Sequence, residues 1–175
     1  IIDFIGEALG FDGRKRVKAD VYFAGPKVMM IVKITGAKPE YIEADRDENF
    51  DVPMKSLITK AAEKILKYSD DHSLQRYYLN YKFDGEESIS LAQYRLDKYQ
   101  GDPRKEAAIL ADWAMGLLRL KKYDAAEAKV REGLSKDSTV AQLHLTLGTI
   151  FLMQDRLEES LAEYNTTMKL FTAED

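Results

Sequence analysis

Three sets of residues have the types and spacing that chemistry could use. Asp45, Asp47, Asn49 and Asp51 alternate like the oxygen ligands of a calcium loop. The pattern breaks at two places: the sixth position, which needs Gly for a sharp turn, holds Phe50, and the twelfth, which needs a bidentate Glu, holds Ser56. A solvated acidic loop entering a helix N-terminus, where negative charge is favoured, accounts for the run without a metal. Arg14, Lys15, Arg16 and Lys18 form the one dense basic run. Such a run can meet anionic lipid or phosphate, but it also discourages edge-to-edge pairing at the start of a strand, and that reading suffices. His72 and His144 are the only histidines, and neither has a Ser, Cys or second His at the spacing of a nucleophile or metal pair. Each reads as a cap or surface residue. The glycines are scattered singly, so no phosphate-cradling loop is present. Asn165-Thr166-Thr167 matches a glycosylation sequon but falls within a helical pattern. No cofactor, metal or catalytic set is expected.

The bulk properties narrow the classes further. The chain has 175 residues, 45% of them hydrophobic and 32% charged, with a net charge of -4. That is an ordinary globular balance, without the basic character of a general nucleic-acid binder. The absence of cysteine rules out disulfides, thiol catalysis and thiolate metal sites, and is compatible with any compartment. No stretch approaches the roughly 18 apolar residues of a membrane-spanning helix, so no direct membrane insertion of this stretch is expected. No signal peptide is visible. The chain opens at Ile1 without an initiator Met and reads as a piece of a longer protein.

The elements that must carry any function come from periodicity. The last hundred or so residues repeat at an interval of 34: Tyr123 and Leu157, Ala114 and Gly148, Leu117 and Phe151, Ala126 and Ser160, Val130 and Tyr164, Leu134 and Met168. Stepping back by the same interval reaches Asn80, Phe83, Ile89, Ala92, Leu96 and Gln100. Two antiparallel helices with their turns occupy about that length. One such pair cannot bury its own apolar face, so neighbours stack.

On these residues the stretch from Ser73 to Phe171 resembles the tetratricopeptide repeat family. The second unit reads Trp113, Ala114, Leu117, Tyr123, Ala126, Val130, Gly133, and the third Leu147, Gly148, Phe151, Leu157, Ser160, Tyr164, Thr167. The first is degenerate: Leu79, Asn80, Phe83, Ile89, Ala92, Leu96, Tyr99, with Asn80 and Tyr99 too bulky for close helix contacts. The resemblance implies about three hairpins with a concave surface lined by the first helix of each. By register that wall is Tyr77, Tyr78 and Tyr81, then Ala111, Asp112 and Met115, then Leu145, Thr146 and Thr149. Rigid amphipathic Tyr grips peptides at low entropic cost. Alternatively, these tyrosines pack against the helix from Met54 to Lys67. Family members that hold the acidic tails of heat-shock chaperones use Lys, Arg and Asn on that wall. This one offers Tyr, Ala, Met, Leu and Thr, so a segment with apolar anchors, extended or helical, fits better.

Ahead of the array the texture differs. Ile1 to Leu9 has helical spacing. Val17, Ala19, Val21 and Phe23 then alternate with polar residues, a second strand runs from Val28 to Thr35, and Tyr41 to Asp45 makes a third. From Val52 the period becomes helical, with Met54, Leu57, Ile58, Ala61, Ala62, Ile65 and Leu66 on one stripe. The fold class is therefore a small α+β part, residues 1–70, made of a three-stranded antiparallel meander plus a helix. An all-α, tetratricopeptide-like array follows over residues 71–175. Asp102-Pro103 should cap the second unit and Asp137-Ser138 the third.

Three functions compete. The first is a non-enzymatic protein–protein interaction module, similar in layout to soluble portions of bacterial repeat proteins. The second is an enzymatic α+β part regulated by the array, which needs a deep cleft with two convergent carboxylates. The third is a self-assembly scaffold, because Met168 and Phe171 close the sequence without a polar capping helix, which makes a homo-oligomer one expectation.

Overall fold

The computed structural model describes residues 17–45 and 51–172. The expected helix at Ile1–Leu9, the basic residues 14–16 and Asp47, Asn49 and Phe50 of the acidic loop lie outside them. The chain divides into two compact units between Leu74 and Gln75.

The first unit is an antiparallel meander, β1 (Val17–Ala24), β2 (Lys27–Ile34) and β3 (Glu40–Asp45), with β2 central. Gly25, at φ 57°, makes the tight turn into β2 that a Cβ would disfavour. Alternation puts Val28, Met30, Val32 and Ile34 of β2 on one buried face. Val21 pairs with Met30 and Met30 with Ile42, so that face continues across all three strands. Helix α1 (Asp51–Ser69) covers it with Leu57, Ala61 and Ile65, all buried in the same cluster. Ile58, expected on the apolar stripe, is exposed. Tyr68 donates to Glu40 at 3.0 Å and Lys64 pairs with Glu40 at 3.2 Å, fixing α1 over the β3 edge. Cross-strand ion pairs Lys33–Asp20 and Lys27–Glu43 mark the solvated face.

The second unit is helical. Helix α2 (Asp71–Tyr77), within which the boundary between the units falls, runs on into a π-helical turn, Tyr78–Lys82, and α3 (Gly85–Lys98) completes the first hairpin. Helices α4 (Pro103–Arg119) and α5 (Tyr123–Lys136) form the second, and α6 (Ala141–Met153) and α7 (Leu157–Thr172) the third. Successive hairpins stack: α3 packs on α4, α5 on α6, and α4 lies beside α6. One continuous core results, with Ala107, Ala114, Val130, Leu143, Ile150 and Phe151 buried together.

Small residues set the spacing of that stack. A Cβ on Gly85 would lie 2.6 Å from the Gly116 carbonyl, and one on Gly148 would lie 2.7 Å from the Tyr164 ring. Asp84 caps α3 by accepting from Glu87 N at 3.0 Å, and Asp102 caps α4 by accepting from Lys105 N at 3.1 Å, with Pro103 as its first residue. The third cap differs from expectation. Asp137 accepts instead from Thr139 N at 2.8 Å and Thr139 Oγ1 at 2.6 Å, and α6 starts after Val140 with no side-chain cap. Once the Asp137 carboxylate closes that local turn, it is no longer free to serve a helix start further on.

Candidate partner-binding surface

The residues singled out for partner binding lie on the first helices of the three hairpins, and their exposures differ widely. On the first hairpin, Tyr81 is 78% exposed, Tyr77 half-buried and Tyr78 buried. The Tyr77 and Tyr81 rings stack at 6.3 Å between centroids, and Tyr78 sits tilted against Tyr77 at 5.9 Å. Lys82 Nζ hovers 5.8 Å from the Tyr77 ring and 5.6 Å from the Tyr78 ring. Together they make a cationic, aromatic edge rather than isolated phenols.

The π-helical turn orients this cluster. It ends at Phe83, which takes left-handed backbone at φ 53° while Asp84 N donates back to Tyr78 O at 3.0 Å. A non-glycine residue in that conformation stores strain, and π turns recur at functional positions. Phe83 itself is exposed, with the Arg119 guanidinium 4.7 Å above its ring.

On the second hairpin Ala111 is fully buried and so has no surface for a partner. It lies on α4, which packs beside α6. Asp112 is engaged: it accepts from Arg95 Nη1 at 2.6 Å, with both side chains largely buried. Met115 is half-buried. On the third, Leu145 is exposed, and Thr149 is half-buried, donating to Leu145 O at 2.9 Å with its hydroxyl 3.3 Å from Tyr164 Oη. Thr146 is fully buried and donates to Gln142 O at 2.7 Å. The geometry thus gathers Tyr77, Tyr78 and Tyr81, whereas Ala111, Asp112 and Thr146 serve the packing between helices.

Two polar features, Arg95 and Glu106, carry no expectation from the sequence, and a third, His144, departs from its expected place. Arg95 is the one charge among the buried residues Leu91, Ala92 and Arg95 of α3, and that interruption of an apolar face was the available signal. Glu106, at the start of α4, accepts from Gly101 N at 2.7 Å and pairs with Lys136 at the end of α5. The hydrogen bond from Lys136, and then that from Gly101, hold the Glu106 carboxyl below its ordinary value. His144, expected at the surface or a helix cap, is partly buried. Its Nδ1 lies 2.7 Å from Glu163 Oε2 and its Nε2 3.1 Å from Ser138 O, so it ties the turn before α6 to α7.

In the first unit an open polar pocket is lined by Lys27, Glu43, Ala44, Asp45, Ser56 and Lys60. Glu43 there is paired with Lys27, and Lys60 Nζ donates to the Glu43 carbonyl at 3.4 Å. Among the described residues, no group of three His, Asp or Glu side chains could hold a metal ion. None of the described helices is long and apolar enough to cross a membrane.

Antiparallel hairpins stacked at a 34-residue period define a tetratricopeptide-like array following a three-stranded α+β unit. The chain is similar to a solved structure described as the second TPR of Spaghetti (RPAP3) bound to the HSP90 peptide SRMEEVD. Identity is 19% and the TM-score 0.47, over 62% of this chain and 97% of that one. No family model matches, and neither does any curated protein.

Proposed function

We propose that this chain is a non-enzymatic protein–protein interaction module whose helical array binds a partner segment through the aromatic edge of the first hairpin. The observation that carries this reading is Tyr81, largely exposed yet held in a stack with Tyr77 beside Lys82. A large apolar ring kept rigid at the surface offers contact area at little entropic cost. Met115, Leu145 and Thr149 extend the surface, with Tyr78 as its buried support, and Ala111 and Asp112 act beneath it by setting helix spacing. The partner is an extended or helical segment that inserts apolar anchors, with acidic residues welcome near Lys82. Terminal-carboxylate capture is disfavoured because Tyr, Met, Leu and Thr supply no cationic clamp.

The test begins with a photo-crosslinking residue at position 81 to define the partner segment, followed by titration of that segment against variants. Tyr81→Ala and Met115→Ala should each weaken binding by about tenfold, a loss of roughly 1.4 kcal/mol, without shifting the thermal melt. Tyr22→Ala, on the first unit, should leave affinity unchanged. Equal affinity for all three variants would remove the tyrosine edge from the interface.

A further inference from the structure

The third hairpin carries a second apolar surface, centred on α7, which meets the surface proposed above at Leu145. Helix α7 exposes Leu157, Leu161, Met168 and Phe171, with Leu161 at 61% and Met168 at 64%. With half-buried Tyr164 these follow one another at spacings of four, three, four and three residues. That is the seam by which one helix packs along another. From α6, exposed Leu145 and Leu152 lie on the same hairpin.

The period of the array shows which covered surface this open one corresponds to. One repeat earlier, the positions of Leu145, Leu152, Leu161 and Met168 are Ala111, Leu118, Glu127 and Leu134. Ala111 and Glu127 are buried, and Leu118 and Leu134 are packed against the core that α6 completes. Glu127 also accepts from Arg156 Nη1 at 3.2 Å, across to the next hairpin. The open surface of the third hairpin is therefore the counterpart of an interface already used once within the molecule. It is also more apolar, with Leu161 replacing Glu127 and Phe171 replacing Asp137.

We propose that this surface binds a second copy of the chain, with the two α7 helices packed antiparallel about a two-fold axis near Tyr164. The stripe is complementary to itself in that arrangement. Leu157 falls opposite Phe171, Leu161 opposite Met168, and Tyr164 opposite its own equivalent. An isologous contact requires that self-matching. The charges match too. Glu158 and Lys169 lie on the same flank of the stripe near opposite ends of α7, and neither has an ion-pair partner among the described residues. Antiparallel pairing brings Glu158 of each copy toward Lys169 of the other, twice per dimer. A parallel pairing would carry this flank to opposite sides of the seam in the two copies and bring neither charge to a partner.

Sedimentation equilibrium across a wide concentration range, with the full chain, tests this. A monomer–dimer equilibrium is expected. Leu161→Glu with Met168→Glu should abolish it while leaving the circular dichroism and melting temperature unchanged, because both side chains are exposed. Glu158→Lys or Lys169→Glu alone should weaken the dimer about tenfold at low salt, and the two together should restore it to within about threefold. A further variant makes the geometry falsifiable by itself. The chain has no cysteine, so Asn165→Cys, exposed beside the axis, supplies a sole thiol. Its oxidation should give a covalent dimer, and adding Leu161→Glu should prevent that. A chain that stays monomeric at every concentration would overturn the proposal. So would a dimer that survives the double Glu substitution, or open-ended polymers, since these require head-to-tail rather than two-fold contacts.

Discussion

The first hairpin and the two that follow share one period but not one construction. In the second and third, the backbone leaves the first helix identically. Lys121 and Asp155, 34 residues apart, both take left-handed φ of 58° and 60°. Lys122 N donates to Leu117 O at 3.0 Å and Arg156 N to Phe151 O at 2.9 Å. In the first hairpin the left-handed residue is Phe83, four positions ahead of where that period places it, and the closing bond from Asp84 reaches Tyr78, one residue wider. The side chains explain the difference. Ile109 and Leu143 are fully buried at equivalent positions, where the first hairpin has Gln75. Gln75 Nε2 donates to Ser88 O at 3.1 Å and Ser88 Oγ at 2.6 Å, but its Oε1 is buried with no partner among the described residues. Ala114 is buried, and at Gly148 a Cβ would strike Tyr164, yet Asn80 at the same place is exposed. A repeat period thus fixes where helices fall, while the residues at their closest approach decide whether a helix stays tight. Where those residues are bulky or polar the helix widens, and aromatic rings that would line a core turn to the surface.

The largest test of this contrast is core truncation. Leu143→Ala, beside Gly133 in the shared core, should cost about 2–5 kcal/mol in denaturant unfolding. Leu79→Ala in the first hairpin lies outside that core and should fall at or below the bottom of the range. Equal losses would mean that the first hairpin is packed as well as the others. Next comes the junction between them. Arg95→Ala removes the guanidinium paired with the largely buried Asp112 carboxylate and should cost about 3 kcal/mol. Arg95→Met combined with Asp112→Leu should recover most of it, because an apolar pair of similar volume replaces a desolvated ion pair. A double variant no better than the single one would show that the pair is itself a net stabiliser.

A smaller, sharper contrast compares equivalent positions directly. Gly148→Ala pushes a methyl into the Tyr164 ring and should cost about 1–3 kcal/mol. Asn80→Ala, at an exposed helical site, should stay within about 0.5 kcal/mol of the parent. Similar values would say that the π-helical turn does not relieve a close contact.

These positions also show how far the sequence could be read. The meander, its covering helix and the three hairpins were legible because period-2 and period-3.6 patterns report burial directly. Asn80 and Tyr99 signalled that the first hairpin would depart, but not how, since a π turn has no local pattern of its own and follows from packing. Ala111 was placed by register on a partner-facing wall, yet small residues on a helix face equally suit close helix contact, and it is buried. Asp137 looked like a helix cap until Thr139 competed for its carboxylate. Asp112 could not be recognised as engaged, because Arg95 lies on a different helix. Local propensity is read from neighbours, whereas these outcomes depend on residues brought together by the stack.

The finest distinction is electrostatic. In the second and third hairpins and the turns leading into them, the carboxyls of Asp102, Glu106, Asp137 and Glu159 are held below their ordinary values. For Glu106 the ordinary value is 4.5, and the Lys136 ammonium and the Gly101 N–H favour the ionised form in the folded state. The unfolded chain therefore binds a proton at higher pH than the folded chain does. The stabilisation is complete above about 4.5 and is lost as the pH falls through the depressed folded value. Glu106→Gln retains an oxygen for the Gly101 N–H but no longer titrates. Its melting temperature should sit slightly below the parent at neutral pH, and the two curves should converge as the solution is acidified toward pH 3. Parallel curves across that range would mean that Glu106 contributes through packing alone, and that the ordered hairpins owe their regularity to shape rather than charge.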